Sequence, residues 1–256
     1  MIQNLAFFGA TGGCAGSCLA AALKQGYTCT ALARTPSKLT AFMHEKDVDS
    51  FTLDSHLQII PGDIRDLEAV KQTLAHADII VSGIGAYPKF QWSPRKPLAL
   101  IDPAICADGI STILQACQEL QKPNAKRKKP MLISISTAGV QTPGKPRALP
   151  LLYLTFYYWL LAEPHADKVA LEAKIHEYMQ LQGNQKGIEG YILVRPSILL
   201  DGEKKGVGDV RAGLPEDPPV GYSIDRRVDG EWIFEKLVRG GGADGVWRNG
   251  EVIVTY

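Results

Sequence analysis

Short apolar runs alternate with amphipathic stretches along the chain. The first run, Leu5–Phe8, ends at Gly9, and an alanine-rich helical pattern follows over 16–25. Strands that alternate with helices predict a doubly wound parallel sheet with right-handed crossovers, an α/β fold. The predicted later strands are 27–33, 57–60, 78–82, 131–136, 191–195 and 251–256, and the later helices are 63–74, 102–120, 165–176 and 229–239.

A glycine-rich turn directly after the first strand is typical of a dinucleotide site. Its spacing is G-x-x-G-x-x-A, with Gly9, Gly12 and Ala15 at the three positions. Gly9 permits the tight turn, Gly12 lets a pyrophosphate approach the backbone, and a small third residue lets helix and strand pack closely. The free N–H groups and positive dipole end of the helix then bind phosphate. An ordinary loop can carry such glycines, but this position favours a Rossmann fold.

The end of the second strand indicates which dinucleotide binds. An NAD site usually places Asp or Glu there to hold the ribose 2′-hydroxyl, whereas Arg accommodates the 2′-phosphate of NADP. This strand ends at Arg34 without a carboxylate, and Ser37 and Lys38 follow. These groups suit a phosphate dianion, although basic residues also occur by chance in loops. The sequence therefore predicts NADP(H) as the cofactor.

Five motifs in order resemble a known family. They are Phe8-Gly-Ala-Thr-Gly-Gly13, Ala31-Leu-Ala-Arg34, Pro61-Gly-Asp-Ile-Arg-Asp66, Ile133-Ser-Ile-Ser-Thr137 and Val194-Arg-Pro-Ser197. Over nearly its whole length the chain resembles atypical short-chain dehydrogenases, in the NAD(P)-binding, NmrA-like and biliverdin-reductase-B-like branch common in fungi. That branch includes reductases, isomerases and non-catalytic regulators, so the resemblance implies the fold and the cofactor rather than a substrate.

The resemblance also implies cofactor contacts at other strand ends. Asp63 is expected to hydrogen-bond the adenine amino group, cap the helix 63–74, or do both. The glycines of 83–85 let the cofactor ribose lie against the backbone, and backbone atoms of 196–198 contact the nicotinamide. The predicted cofactor site comprises Gly9, Thr11, Gly12, Gly13, Cys14, Ala15, Arg34, Lys38, Asp63, Ile64, Gly83, Ile84, Gly85, Lys168, Pro196, Ser197 and Ile198.

The catalytic residues implied by the resemblance are incomplete in this chain. In the family, a hydroxyl after the fifth strand binds the substrate carbonyl, and a Tyr-x-x-x-Lys motif supplies the proton. Ser136 and Lys168 match the hydroxyl and the lysine, but Pro164 replaces the tyrosine. Lys168 is expected to hold the nicotinamide ribose and to pair with Glu172 one turn later; an exposed Lys–Glu surface pair is the alternative.

The proton donor is left open by the sequence. His165 is a candidate because it titrates near neutral pH, although a histidine at a helix start is often a cap. Solvent, Ser136 and the tyrosines Tyr153, Tyr157 and Tyr158 are the other candidates.

Three variable segments are expected to surround the substrate. Segment 87–103 is predicted to be an irregular loop, in which Tyr87, Phe90 and Trp92 either line the pocket or anchor the loop. The apolar segment 148–162 is shorter than the ~20 residues that span a bilayer, so it suits a pocket lid or a homodimer interface. Segment 201–222 forms a small C-terminal lobe on the substrate side.

A helix follows this lobe, and the resemblance assigns a role to its first residues. Arg226 or Arg227, together with Asp229, matches an Arg and a helix-starting Asp of the family. These residues are expected to stabilise the end of the sheet.

Composition is consistent with a single enzyme-sized domain, 1–256. The net charge of +1 gives no field that would favour nucleic acid or a membrane surface. The basic run 122–130 lies between a helix and a strand, which favours a solvated loop over a nucleic-acid patch. The five cysteines lack a metal-ligand spacing, so we expect buried thiols in the reducing cytoplasm, no metal and no signal peptide.

Together these features predict an NADP(H)-dependent reductase that acts on a small carbonyl-bearing or conjugated substrate. Two alternatives share the fold. A non-catalytic sensor would bind the dinucleotide and report redox state to a partner. A non-redox isomerase or cyclase would keep the cofactor without turning it over.

Overall fold

A computed structural model describes residues 3–86, 88–90, 92, 98–121, 128–150, 158–182, 185–202, 205–240 and 245–256. The strands are β1 Asn4–Phe8, β2 Thr28–Ala33, β3 Leu57–Pro61, β4 Ile79–Ser82, β5 Pro88–Phe90, β6 Leu98–Leu100, β7 Met131–Ile135, β8 Gly190–Pro196, β9 Ile198–Leu200, β10 Arg211–Gly213, β11 Ser223–Asp225 and β12 Gly250–Thr255. The helices are α1 Gly13–Lys24, α2 Pro36–Glu45, α3 Ser50–His56, α4 Leu67–Leu74, α5 Ile105–Gln121, α6 Ala162–Met179 and α7 Arg226–Trp232, which continues as a π-helical segment, Ile233–Arg239.

The main sheet has eight strands in the order β10-β12-β8-β7-β4-β1-β2-β3. Its pairs are parallel except that β10 runs antiparallel to β12. The predicted doubly wound α/β fold is confirmed. Because β1 pairs with β2 on one side and with β4 on the other, the strand order reverses at β1, where ligands bind in such sheets.

Both faces of the sheet are covered, as the continuous apolar runs require. Successive strand residues point to opposite faces, so Leu5 and Phe7 pack into a core with α1, α2 and the π-helical segment. Ala6 and Phe8 pack into a second core with α4, α5 and α6. These two cores fix β1 and therefore the position of the turn that follows it.

All five predicted helices begin at residues other than those predicted, and α6 at Ala162 and α7 at Arg226 each start three residues early. Helix α1 starts at Gly13, three residues early. Helix α4 starts at Leu67 because Asp66 accepts hydrogen bonds from the N–H groups of Glu68 and Ala69. The prediction that Asp63 caps this helix is therefore wrong. Helix α5 starts at Ile105, where the carboxylate of Asp167 on α6 accepts from the next two N–H groups.

The segment 87–103 contains regular structure, contrary to prediction. Strands β5 and β6 form an antiparallel pair, and the backbone N–H of Leu100 donates to Glu163 Oε2 at 3.0 Å. Trp92 is 98% exposed. It does not line the cavity at the ends of the central strands, so its assignment to the pocket wall is wrong. Tyr87 lies outside the described residues, as does the side chain of Phe90.

The C-terminal segment joins the body of the fold. Strand β9 pairs in parallel with β11, and β10 extends the main sheet along β12. Asp225 rather than Asp229 caps α7, since its carboxylate accepts from the N–H of Arg227. Asp229 is fully buried where α7 packs on α1. The expectation that Asp229 starts the helix is therefore wrong.

Candidate cofactor and substrate site

The turn after β1 requires the glycines that the sequence places there. Gly9 has a φ of +74°, and a Cβ at this position would lie 2.6 Å from the carbonyl oxygen of Gly83. A Cβ at Gly83 would in turn lie 2.6 Å from the methyl group of Ala15. The β1 turn, the β4 turn and α1 are thus packed at backbone distance, as predicted for the small residues of this motif.

The N-terminus of α1 has the open donors that a pyrophosphate needs. Gly12 is the N-cap residue, and no side chain bonds the first helical N–H groups. Four such groups lack partners inside any α-helix, and together with the helix dipole they attract an anion. The residues present therefore fit a dinucleotide pyrophosphate.

Arg226 at the start of α7 lies over this turn. A Cβ on Gly13 would approach the Cδ of Arg226 to 2.6 Å, so the arginine stem occupies the space that Gly13 leaves. Its Nη1 donates to Asp201 Oδ2 at 2.7 Å. The sequence predicts that Arg226 or Arg227 supports the sheet end; the structure instead packs the stem of Arg226 over the glycine turn.

One cavity of about 630 Å³ connects the glycine turn with the ends of the central strands. With one exception, all predicted site residues line it. They are Gly9, Thr11, Gly12, Gly13, Cys14, Ala15, Arg34, Asp63, Ile64, Gly83, Ile84, Gly85, Ser136, His165, Lys168, Pro196, Ser197 and Ile198. The exception, Lys38, is exposed in the first turn of α2 and lies outside the cavity wall.

At one end of the cavity, an exposed Arg34 follows β2 directly. Helix α2 begins two residues later, with Thr35 as its N-cap, so a second helix N-terminus lies beside the guanidinium. Asp63 follows the neighbouring strand β3, and its Oδ1 accepts from the N–H of Arg65. Arg65 is held in turn by Asp102 and Asp108 on the α5 side. This end of the cavity therefore offers a ligand the cationic guanidinium of Arg34 and the carboxylate of Asp63, which the N–H of Arg65 holds in position.

Lys168 on α6 points between two strand ends. Its Nζ donates to the carbonyl oxygens of Ile84 at 2.8 Å and Ile135 at 2.7 Å. The expected pairing with Glu172 is therefore wrong, and so is the alternative of an exposed surface pair. An ammonium group has three donors, so one remains after these two bonds.

Glu172 pairs with Arg195 instead. Arg195 Nε donates to Oε1 at 2.9 Å and Nη2 to Oε2 at 2.5 Å, with both side chains 4% exposed. Ser136 Oγ, at the end of β7, donates to the same Oε1 at 2.5 Å. A bidentate arginine–carboxylate pair of this kind is shorter and stronger than a neutral hydrogen bond.

His165 lies on the cavity wall at the start of α6. Its ring meets the ring of Tyr158 edge-on, with centroids 5.0 Å apart. Burial lowers the pKa of His165 below its usual 6.5, so the imidazole is mostly neutral at pH 7. Tyr158 does not line the cavity, and its hydroxyl donates to the carbonyl of Gly139. Tyr153 and Tyr157 lie outside the described residues.

Apolar side chains make up much of the rest of the cavity wall, which Thr137 and Asp167 also line. Several leucines and a proline come from β6, from the start of α6 and from β9. They are Leu98, Leu100, Leu160, Leu161, Pro164 and Leu199.

The five cysteines are all free and buried, as predicted. Cys14 lies in the first turn of α1 next to Asp229. Burial raises the pKa of this thiol well above its usual value and raises the pKa of Asp229 to about 7. Within the described ranges, the His, Cys, Asp and Glu side chains form no group suited to a metal ion.

No helix in the described part of the chain is both long and apolar enough to cross a membrane.

Comparison with known proteins identifies the family of the chain. A sequence model of the NAD(P)H-binding family matches residues 9–235. The chain is similar to reductase pytE of Aspergillus terreus, at 41% identity over 99% of this chain and 98% of the relative. It is also similar to oxidase pynE of Aspergillus niger, at 36% identity over 98% of each chain. Among solved structures, a short-chain dehydrogenase/reductase of Veillonella parvula in complex with NADP has a TM-score of 0.69, at 14% identity over 100% of this chain and 95% of that one.

Proposed function

The chain belongs to the NAD(P)H-binding family, and from that membership we propose that it is an NADP(H)-dependent reductase of a small carbonyl-bearing or conjugated substrate. Its relatives in two Aspergillus species are named a reductase and an oxidase, and the chain is an oxidoreductase. The observation that carries the proposal is the single cavity that joins the glycine turn, Lys168 and an apolar pocket.

The preference for NADP(H) rests on Arg34. Its guanidinium and the N-terminus of α2 favour the 2′-phosphate, and β2 ends without the carboxylate that would hold a 2′-hydroxyl. Arg226 is a second basic residue near the glycine turn, with its stem over Gly13 and its guanidinium paired with Asp201.

A bound nicotinamide supplies the hydride, and the protein's residues orient both reactants. We assign Lys168 to the nicotinamide ribose because two carbonyls fix its ammonium on the cavity wall. His165 is the proposed proton donor, since Pro164 replaces the usual tyrosine and His165 lines the same cavity. Ser136, on the same cavity wall, is proposed to contact the substrate.

The substrate is proposed to be small, uncharged and largely apolar. Leucines from β6, α6 and β9 form this end of the cavity, and a ligand charge buried against them would lose its hydration without compensation. We also propose a cytoplasmic location, consistent with the five free thiols. A homodimer through 148–162 stays a prediction, because 151–157 lie outside the described residues.

Lys168→Met tests the proposal against its non-catalytic alternative. NADPH oxidation is measured with a panel of aldehydes, ketones and quinones, and NADPH affinity is measured by calorimetry. We expect turnover to fall about 10²-fold, because hydride transfer is sensitive to misplacement of about 1 Å. Affinity should fall only slightly, since the phosphate contacts remain.

Lys174→Met on the same helix is the matched control, because Lys174 is 53% exposed and pairs only weakly with Glu177 at 4.0 Å. Wild-type turnover in Lys168→Met would remove Lys168 from the mechanism. Tight NADPH binding by the wild-type protein, with no oxidation across the panel, would instead favour a sensor or an isomerase.

A further inference from the structure

The hydroxyl proton of Ser136 is committed to a buried carboxylate. Ser136 Oγ lies 2.5 Å from Glu172 Oε1, within the range of charge-assisted O–H···O⁻ bonds. A serine hydroxyl carries one proton, so a hydroxyl that donates to Glu172 cannot also donate to a ligand. The backbone N–H of Ser136 is also used, since it donates to the carbonyl of Val194 at 2.7 Å.

Glu172 is kept in the acceptor form by its arginine. Arg195 makes two hydrogen bonds to the carboxylate, and its Nη1 donates to Thr142 Oγ1 at 2.7 Å. A guanidinium stays charged and has no acceptor atom. An ionised carboxylate likewise has no proton to donate, so Glu172 receives the proton of Ser136 and cannot return one.

The remaining capacity of Ser136 Oγ is therefore that of an acceptor. Ser136 lines the cavity beside His165 and Lys168. A carbonyl oxygen placed against it would meet lone pairs rather than a proton, and both oxygens would lose hydrogen bonds to water. A hydroxyl group at the same place would donate to Oγ, and the negative charge of Glu172 behind the serine would strengthen that bond.

We propose that Ser136, with its polarity set by the Glu172–Arg195 pair, selects ligands that present a hydroxyl group, as an alcohol or an enol, rather than a carbonyl oxygen. This rests on the proposed function only in taking this end of the cavity as the substrate pocket. It assigns Ser136 as a specificity-determining residue and Glu172 and Arg195 as positioning residues. A substrate carbonyl takes its hydrogen bond from another donor on the wall.

A set of uncharged naphthalene ligands tests this polarity. The three probes are 2-naphthalenemethanol, which can donate, and its methyl ether and 2-naphthaldehyde, which can only accept. Their affinities are measured by calorimetry and by naphthalene fluorescence, with and without NADP⁺. We expect the alcohol to bind at least about tenfold more tightly than the ether or the aldehyde, as a hydrogen bond to a charge-assisted acceptor gives.

Ser136→Ala should abolish this preference, and Ser136→Thr should restore it because the hydroxyl returns. Ser111→Ala is the matched control, since Ser111 Oγ donates to the carbonyl of Ala107 on α5, away from the cavity. Tighter or equal binding of the aldehyde by the wild-type protein would overturn the proposal, and so would an unchanged preference in folded Ser136→Ala.

Neutron diffraction from deuterated crystals tests the same point without a ligand. Deuterium on the line between Ser136 Oγ and Glu172 Oε1 is expected, and deuterium directed into the cavity would contradict the proposal. Failure of the proposed function would show separately as absent NADPH binding, which neither the probe ratio nor the deuterium position requires.

Discussion

At the scale of single residues, Arg34 is the side chain proposed to favour NADP(H) over NAD(H). Its guanidinium lines the cavity at the end of β2, whereas Lys38, predicted for the same site, lies outside the wall. The sequence predicted both Arg34 and Lys38 as phosphate contacts. In the structure Lys38 lies in the first turn of α2, outside the cavity wall. Their roles can therefore be distinguished by charge reversal.

Arg34→Glu should weaken NADPH binding about tenfold or more, because a hydrogen bond to a charged group is worth about 1.5–3 kcal/mol and becomes a repulsion. NADH binding should change far less. Lys38→Glu is the comparison, with a smaller expected loss. The measurement is a calorimetric titration of each variant with both dinucleotides, and equal wild-type affinity for NADH and NADPH would contradict the assignment.

His165 predicts an acidic pH dependence. Its pKa is lowered from 6.5 by burial, so the imidazolium that donates a proton is lost as the pH rises through a value below 6.5. If His165 is the donor, kcat for reduction should decrease as the pH rises through that value. His165→Gln should have a lower kcat and a flat profile around that value; an unchanged profile would exclude His165.

Helices α1 and α7 form the closest contact between elements at the cofactor turn. A Cβ on Gly230 would lie 2.2 Å from the carbonyl oxygen of Cys14, and Asp229 is buried in this contact with no exposed surface. A fully buried carboxyl group in close contact with α1 links protein stability to pH.

Asp229→Asn should remove a pH-dependent loss of stability. The pKa of Asp229 is raised to about 7 by burial, above the value of about 3.9 in an unfolded chain. The folded state therefore holds a proton that the unfolded state releases, and stability falls as the pH rises from about 4 to about 7.

A pKa shift of this size corresponds to roughly 4 kcal/mol. Urea unfolding at several pH values gives the free energy of each protein. The Asn variant should gain on the wild type progressively over this range, and a constant difference would show that Asp229 does not titrate there.

At the scale of the whole molecule, the cavity is built from the ends of several strands. Its walls come from β1, β2, β4, β7 and β8 and from helices on both faces of the sheet. A ligand that binds there contacts the folded arrangement and not the unfolded chain, so it stabilises the entire domain by mass action.

NADPH should therefore raise the melting temperature. At a concentration 100 times the Kd the stabilisation is about 2.7 kcal/mol, which corresponds to a shift of roughly 5–10 °C for a domain of this size. Gly12→Val, which places a branched side chain at the pyrophosphate turn, should remain folded and lose the shift. Differential scanning calorimetry measures both, and a full shift in Gly12→Val would contradict the role of the glycine turn.

The sequence by itself determined the strands and the glycine turn after β1. Buried parallel strands are continuous apolar runs, and the turn needs small residues at fixed spacing, so both are visible within a few neighbouring positions. Gly9 and Ala15 could therefore be assigned from sequence alone. The two strands inside segment 87–103 could not be predicted in this way, because strands of three residues carry almost no periodicity.

Only the tertiary structure decided which distant side chains meet. Lys168 lies one turn from Glu172 on the same helix, yet it bonds to the carbonyls of Ile84 and Ile135, while Glu172 pairs with Arg195 on β8. Arg226, far along the chain, covers Gly13 at the first turn. The spacing of residues on one helix gives their possible partners, but the packing of α6 and α7 against the sheet sets which groups are buried together and must be paired.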